Sequence, residues 1–333
     1  MIISRTPFRI SFFGGGSDYP AWYRKYGGKI LGTSIDKYCY ISCRYLPAFF
    51  DHKYRIVYSK VEYAKRVNEI EHPAVKAVLK LMQIKEGVEI HHDGDLPAQS
   101  GLGSSSAFTV GLIHTLYALR ERIMSQRELA AKAVHVEREI LKENVGSQDQ
   151  VLTAMGGLNV VEFRQDDSFT ITPVILSKEK IEMLQKHMML FFTGFTRVAS
   201  KIAKSHIENL EARKRDIQIM QQMVTEAIAI MEQKSKSLAQ FGHLLHEYWQ
   251  FKRSSTNGKV TTPKIDAIYD AAKSAGAIGG KILGAGGGGF MLLFVEPGLQ
   301  NKVRERLRKL TYVPFRFDFS GSKIVVFEPN NFQ

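Results

Sequence analysis

Apolar residues at Phe8, Ile10 and Phe12 alternate with Arg9 and Ser11, which predicts a strand over 2–13 that ends at Gly14-Gly15-Gly16. Aromatic and β-branched residues predict further strands over 29–45 and 54–58. A helix is predicted from Pro73 to Met82, a strand from Val88 to His91, and an apolar helix from Ala107 to Leu119 behind the Gly/Pro/Ser-rich segment 94–103. The next helix starts near Gln126, with Ser125 as N-cap and Glu128 at the capping-box position. Strands recur at 157–163 and 169–175. The second half reads differently. A strand at 188–195 precedes a helical stretch over 198–251, broken near 235–237 and at Gly242. Then come a helix at 263–275, a strand at 277–283, a glycine run, a strand at 290–295, a helix at 298–310, and strands near 312–319 and 323–327. This order suggests a split βαβ layer, and the shift in pattern puts a boundary near 175–185.

The 333 residues suffice for two domains, and 44% hydrophobic with 24% charged residues exclude a mainly disordered chain. Only Cys39 and Cys43 occur, which fits a reducing compartment and excludes a Cys-rich zinc site. No apolar run reaches the ~18 residues of a spanning helix, and Met1–Arg5 carries no secretory signal, so the chain reads as cytoplasmic. The net charge of +13 favours anionic partners without choosing among nucleic acid, membrane and phosphorylated small molecules.

Four segments carry candidate chemistry. In the first, Leu96 to Ala107, the glycines Gly101 and Gly103 let backbone amides approach a ligand, and the helix behind them offers unpaired N–H groups. Ser104, Ser105 and Ser106 add hydroxyls, so the string reads as a phosphate cradle; no Walker Gly-Lys-Ser/Thr is present. In the second, Gly284 to Gly289, the glycines satisfy G-x-G-x-x-G but lead into the strand Phe290–Val295 rather than a helix, which rejects a dinucleotide fingerprint. They suggest a loop pressed against another backbone or a ligand. In the third, Arg9 sits in an apolar strand and either wants an anion or marks an edge. Asp18 either takes hydroxyl hydrogen bonds or caps a helix over Pro20–Tyr26. In the fourth, Glu137 has Ala133, Val134, Ile140 and Leu141 at helical spacing, hence an apolar face, where a carboxylate needs a cation or a metal. Asp149 follows a Gly-Ser turn.

These segments, in this order, resemble the GHMP kinase superfamily from residue 5 to about 290. The resemblance implies an α+β, two-domain fold: a ribosomal S5 domain 2-like ATP-binding domain over 1–180 and a ferredoxin-like split βαβ domain over 181–333. It implies ATP and Mg²⁺ as cofactors. Pro97 and Gly101, Leu102, Gly103, Ser104, Ser105 and Ser106 would wrap the ATP phosphates, with Gly286 and Gly287 closing over them. Ser105 and Glu137 would ligate Mg²⁺. Asp149 would position or deprotonate the acceptor hydroxyl, with Arg9 near the transferring phosphoryl. Asp18, with Gly15, Gly16 and Ser17, and Gly287 with Gly288, would bind the acceptor. By the same analogy the adenine lies near the segment from Tyr58 to Pro73.

Pro7-Phe8-Arg9 departs from the family's usual Pro-Gly-Arg/Lys. Gly14-Gly15-Gly16-Ser17-Asp18 departs from the galactokinase Gly-Glu-His-Thr-Asp. The string from Arg9 to Pro20 is similar to the branch acting on heptose phosphates. That implies phosphorylation of the anomeric hydroxyl of a heptose 7-phosphate, giving the 1,7-bisphosphate used for GDP-heptose and surface polysaccharide. A distal phosphate needs basic groups, for which Arg24, Lys25 and Arg44 are candidates. The resemblance implies a small-molecule sugar phosphate and ATP as partners, no membrane, and either a monomer or a homodimer. Fucokinase or another anomeric sugar kinase is the alternative. A different class, a nucleic-acid or ligand-sensing module, rests on the basic runs Lys201, Lys204, Arg213–Arg215 and Arg304–Lys309, which also read as solvated helix faces.

Overall fold

The computed structural model describes residues 1–194, 213–233, 238–256 and 258–328. Strand β1 (Ile2–Phe13) is followed by α1 (Pro20–Tyr26), the long β2 (Gly28–Tyr45), β3 (Tyr54–Val57), β4 (Val61–Ala64), α2 (Pro73–Leu81) and β5 (Val88–Gly94). Next come α3 (Ser104–Leu119), α4 (Gln126–His135), a π-helical turn at Val136–Ile140, α5 (Gln148–Met155), β6 (Leu158–Phe163) and β7 (Phe169–Pro173). The second half holds α6 (Lys178–Lys186), β8 (Met188–Phe192), α7 (Lys214–Glu232), α8 (Ala239–Ser255), α9 (Pro263–Ser274), β9 (Ala277–Ile282) and β10 (Phe290–Val295). It ends with α10 (Gln300–Arg306), β11 (Thr311–Tyr312), β12 (Phe317–Asp318) and β13 (Lys323–Phe327).

The strands form two sheets, in agreement with the α+β expectation. The nine-stranded sheet runs β13-β1-β2-β5-β3-β4, with β12 and β6 also on β2 and β7 on β6; its β3–β5 pair is parallel. The four-stranded sheet runs β11-β8-β10-β9, all antiparallel. The final strands β12 and β13 do not stay with this second layer but return to pair with β2 and β1. Strand β10 shows why an all-apolar run is needed at the centre. Phe290, Leu292 and Phe294 face the large core, and Met291, Leu293 and Val295 face a smaller one with Trp249, Ile265 and Tyr269. Among the described residues no helix is long and apolar enough to cross a membrane.

Several sequence expectations change. Helix α8 runs through Gly242 instead of breaking there. A Cβ on Gly279 of β9 would sit 2.0 Å from the Gly242 carbonyl oxygen, so the glycines let helix and sheet meet backbone to backbone. The predicted break at 235–237 and helical residues 198–212 mostly lie outside the described residues. Asp149, which follows a Gly-Ser turn in sequence, lies in the first turn of helix α5, an element the sequence pattern does not predict. Arg304 covers the Tyr312 ring and Arg308 pairs with Glu305, while Lys201 and Lys204 lie outside the described residues.

The glycine run between β9 and β10 is pressed against the loop before α3. Cβ atoms on Gly101 and Gly289 would lie 2.5 Å from the Leu283 and 2.2 Å from the Ser100 carbonyl oxygens. The Phe290 amide donates to the Ser100 carbonyl at 3.2 Å. Gly289 also has φ +95, a conformation that costs any other residue. Gly289→Ala is expected to cost at least ~2 kcal/mol in urea unfolding, whereas Gly298→Ala, with open space around it, should change stability by less than ~1 kcal/mol. Equal midpoints for the two variants would remove this contact as a stabilising constraint.

Candidate active site

A cavity of about 720 Å³ lies between the two glycine loops, the turn after β1 and the start of α5. Its volume falls in the range of small-molecule sites. Its centre is Arg9. Because β13 pairs only with Ile2–Arg5, the edge of β1 at Arg9 is open, and the Arg9 amide donates to the Leu102 carbonyl at 3.0 Å. The side chain is 4% exposed. Its Nε and Nη2 donate to the two Asp149 carboxylate oxygens at 2.8 and 2.6 Å, and Nη1 donates to the Gly101 carbonyl at 2.6 Å. The anion that the sequence demanded for Arg9 is therefore Asp149. A Cβ on Gly103 would lie 3.0 Å from Arg9 Cγ, so this glycine admits the guanidinium beneath the loop.

Asp18 is buried and does not cap α1, whose N-cap is Tyr19. Its carboxylate accepts from the Gly16 amide at 3.0 Å and from Gln148 Nε2 at 2.9 Å. Burial, and then Asp149, push its pKa above the ordinary carboxylate range. Gly15 and Gly16 line the cavity, and the Gly15 amide donates to the Tyr248 hydroxyl at 3.1 Å. Ser17 is turned away and donates to the Gly14 and Lys29 carbonyls, which fixes the turn rather than reaching a ligand.

Glu137 is fully buried in the π-helical turn. Ser106 Oγ donates to its Oε2 at 2.9 Å and Gln150 Nε2 bonds the same oxygen, while Oε1 is buried with no partner. Ser106, not Ser105, thus meets Glu137, because residue 106 points into the protein and 105 outward; both line the cavity. Burial raises the Glu137 pKa to about 7, and nearby Glu143, itself a cavity-lining group, pushes it further the same way. An orphaned buried carboxylate oxygen, a hydroxyl and a second carboxylate nearby fit a hard divalent cation.

Gly101, Gly103, Ser104 and Ser105 line the cavity as expected, but Pro97 and the buried Leu102 do not. Gly286, Gly287 and Gly288 also lie off the lining. A Cβ on Gly286 would meet Val260, and the Gly287 amide donates to the Val260 carbonyl at 2.8 Å. Gly284 and Ala285 take their place at the cavity wall. One end of the cavity is aromatic. His72 stacks on Phe108 with centroids 4.6 Å apart, Tyr58 meets His72 edge-on, and Pro73 and Leu96 border them. Burial lowers the His72 and His92 pKa values, which favours neutral rings there. The lining also holds Tyr19, Arg213, Lys252 and Lys281, which sequence reasoning did not single out as site residues. The sequence candidates for a distal phosphate lie elsewhere. Arg24 pairs with Asp167, Arg44 pairs with Glu89, and Lys25 lies over the Tyr26 ring.

The chain matches the GHMP kinases N terminal domain over residues 56–157 and the GHMP kinases C terminal domain over 223–312. It is 29% identical to D-glycero-alpha-D-manno-heptose 7-phosphate kinase of Campylobacter jejuni over 92% of this chain and 93% of that protein. It is 22% identical to L-fucokinase/L-fucose-1-P guanylyltransferase of Bacteroides fragilis, over 93% of this chain and 36% of that protein. In structure it is similar to a D-glycero-D-manno-heptose 1-phosphate kinase from Bacteroides thetaiotaomicron, with a TM-score of 0.81 at 24% identity, covering 98% of this chain and 100% of that one. Two domain matches in the expected order, on a two-sheet fold with its cavity at the glycine loop, establish that the chain belongs to the GHMP kinase family.

Proposed function

We propose that this phosphotransferase uses ATP and Mg²⁺ to phosphorylate the anomeric hydroxyl of a sugar phosphate, D-glycero-D-manno-heptose 7-phosphate, giving the 1,7-bisphosphate on the way to GDP-heptose. The observation that carries the reaction is the Arg9–Asp149 pair beside the glycine loop. The acceptor follows from the similarity to the Campylobacter heptose 7-phosphate kinase. The Bacteroides thetaiotaomicron structure bears the name of a 1-phosphate kinase; the two names differ in the phosphate's position and share a phosphorylated heptose.

The residues divide the work as follows. The aromatic end, Tyr58, His72 and Phe108, offers flat faces for a purine. Amides of the glycine loop and the N-terminus of α3 offer donors to phosphate oxygens. Asp149 is held by Arg9 with one lone pair free on each oxygen, which suits it to orient an acceptor hydroxyl and take its proton. The acceptor oxygen forms its bond to the terminal phosphorus as the bond to the ADP oxygen breaks. Arg9 balances the developing charge. Asp18 and Gln148 receive sugar hydroxyls on the far side. Glu137, with the hydroxyls of Ser105 and Ser106 on its cavity side, would hold Mg²⁺, which when bound neutralises phosphate oxygens.

Asp149→Asn should lower turnover at least ~100-fold while leaving ATP affinity intact, as expected for loss of an acid–base group. Near-normal turnover would remove Asp149 from this role. The acceptor is tested by ADP release with Mg-ATP against heptose 7-phosphate, mannose 6-phosphate, sedoheptulose 7-phosphate, fucose, galactose and mevalonate. Turnover confined to heptose 7-phosphate is expected. Turnover on fucose alone would favour the fucokinase reading.

The raised pKa of Glu137 gives a cation test without turnover. The folded protein holds this proton more tightly than the unfolded chain. The stability it contributes is complete below the ordinary value of 4.5 and lost as pH rises to about 7. In metal-free buffer Glu137→Gln should therefore melt above wild type at pH 8, with the gap closing toward pH 5. Added Mg²⁺ should raise the wild-type Tm but not the variant's. An Mg²⁺ shift that persists in the variant would place the cation elsewhere.

A further inference from the structure

The polar end of the cavity carries more positive charge than the reacting centre uses. Lys252 and Lys281 are 7% and 2% exposed, and both face the cavity with Arg213. Lys281 donates to the Ser11 and Phe12 carbonyls at 3.0 and 2.9 Å, Lys252 to the Gly284 carbonyl at 3.2 Å, and Arg213 to Ser255 Oγ at 3.1 Å. Arg213 Nε is buried with no partner. Among the described residues, none of the three touches a carboxylate in a salt bridge, whereas Arg9 has Asp149.

Helix α8 places them: Lys281 Nζ lies 4.5 Å from the centroid of the Tyr248 ring, Lys252 is four residues further along the helix, and Arg213 bonds Ser255 near its end. Burial lowers the Lys281 pKa, and then Lys252 and Arg9 do so. Burial brings Lys252 down to about 8, the positive charges of Arg213 and Arg9 act the same way, and Asp18 opposes them. Arg213 feels burial first, then Asp216, Tyr248 and Tyr19. All three line the cavity that Arg9 and Asp18 also line. The carboxylates of Asp18 and Asp216 act on Lys252 and Arg213 without bonding them, so the desolvation cost of these cations is left for an anion to relieve. The nucleotide phosphates already have the loop amides and Arg9. Arg213 sits instead against α8 at Ser255, on the helix whose Tyr248 hydroxyl meets the Gly15 amide of the turn that carries Asp18.

We propose that Arg213 and Lys252 form a subsite for a phosphate monoester carried by the acceptor, remote from the hydroxyl that reacts. The inference rests on the sugar-phosphate reading above and names the residues that select it. The Arg213 guanidinium presents a fork suited to phosphate oxygens, and Lys252 adds a point charge.

The test is equilibrium binding, without ATP, of D-glycero-D-manno-heptose and of its 7-phosphate to the full-length enzyme. The phosphate should tighten wild-type binding at least ~10-fold, the scale of a charge-assisted pair. Arg213→Gln, at a half-buried position, should remove most of that gain while changing affinity for the unphosphorylated sugar and for ATP by less than ~3-fold. Lys252→Met should do the same if circular dichroism shows it folded. Equal binding of the two sugars to wild type, or a gain that survives Arg213→Gln, overturns the subsite. ADP release is read separately. A protein that binds the 7-phosphate through Arg213 but does not turn it over keeps the subsite and loses the acceptor assignment.

Discussion

The buried guanidinium of Arg9 is the constraint around which the molecule is arranged. A charge that is 4% exposed must be paired and hydrogen-bonded on every side, or the fold carries a cost of several kcal/mol. Two distant stretches meet that need: Asp149 supplies two oxygens, and the glycine loop supplies the Gly101 carbonyl to the guanidinium and the Leu102 carbonyl to the strand amide. Satisfying Arg9 therefore fixes β1, the glycine loop and α5 against one another. The same three elements carry the proposed phosphate donors and the proposed proton acceptor. Stability and site geometry are one requirement here.

The second half of the chain is locked to this arrangement through backbone. Gly101 and Gly289 approach the carbonyls of the opposite loop too closely for any side chain, and Lys281 ties β9 to the end of β1 through the Ser11 and Phe12 carbonyls. The glycine tail loop thus acts on the cavity from behind. It holds the phosphate loop in position, while only its first residues, Gly284 and Ala285, reach the wall. The basic side chains that looked like a nucleic-acid face on sequence divide up differently. Arg213 turns into the cavity and Arg304 lies on Tyr312.

What was legible in the sequence was local. Strand alternation around Arg9 put its side chain opposite Phe8 and Ile10, and helical spacing put Glu137 on a buried face; both are so placed. The glycine string before Ser104 pointed to a loop at a ligand cavity, and Gly101 and Gly103 line one. Features set by long-range contact were hidden. Whether Ser105 or Ser106 meets Glu137 depends on the rotation of α3 against the π-helical turn. That Asp149 opens a helix was masked by Gly146-Ser147, which read as a turn. Gly146 is there for another reason: a Cβ would lie 1.8 Å from Asp18 Oδ2. Nothing near Lys281 indicates that it will cap carbonyls some 270 residues away.

The division of labour between the halves follows from these contacts. The first half of the chain supplies Arg9 on β1, the serine hydroxyls of α3, Glu137 in the π-helical turn and Asp149 on α5. The second half supplies Lys252, Lys281 and Arg213 at the proposed acceptor end, on α8, on β9 and just before α7. Changes on α8 or at the start of α7 would alter what the far wall accepts without disturbing the Arg9–Asp149 pair, since neither helix bonds to it. Changes on β9 would do both, because Lys281 anchors β1 two residues from Arg9. A scaffold built this way can keep phosphoryl transfer fixed while the acceptor varies, provided variation avoids the strand that joins its two sheets.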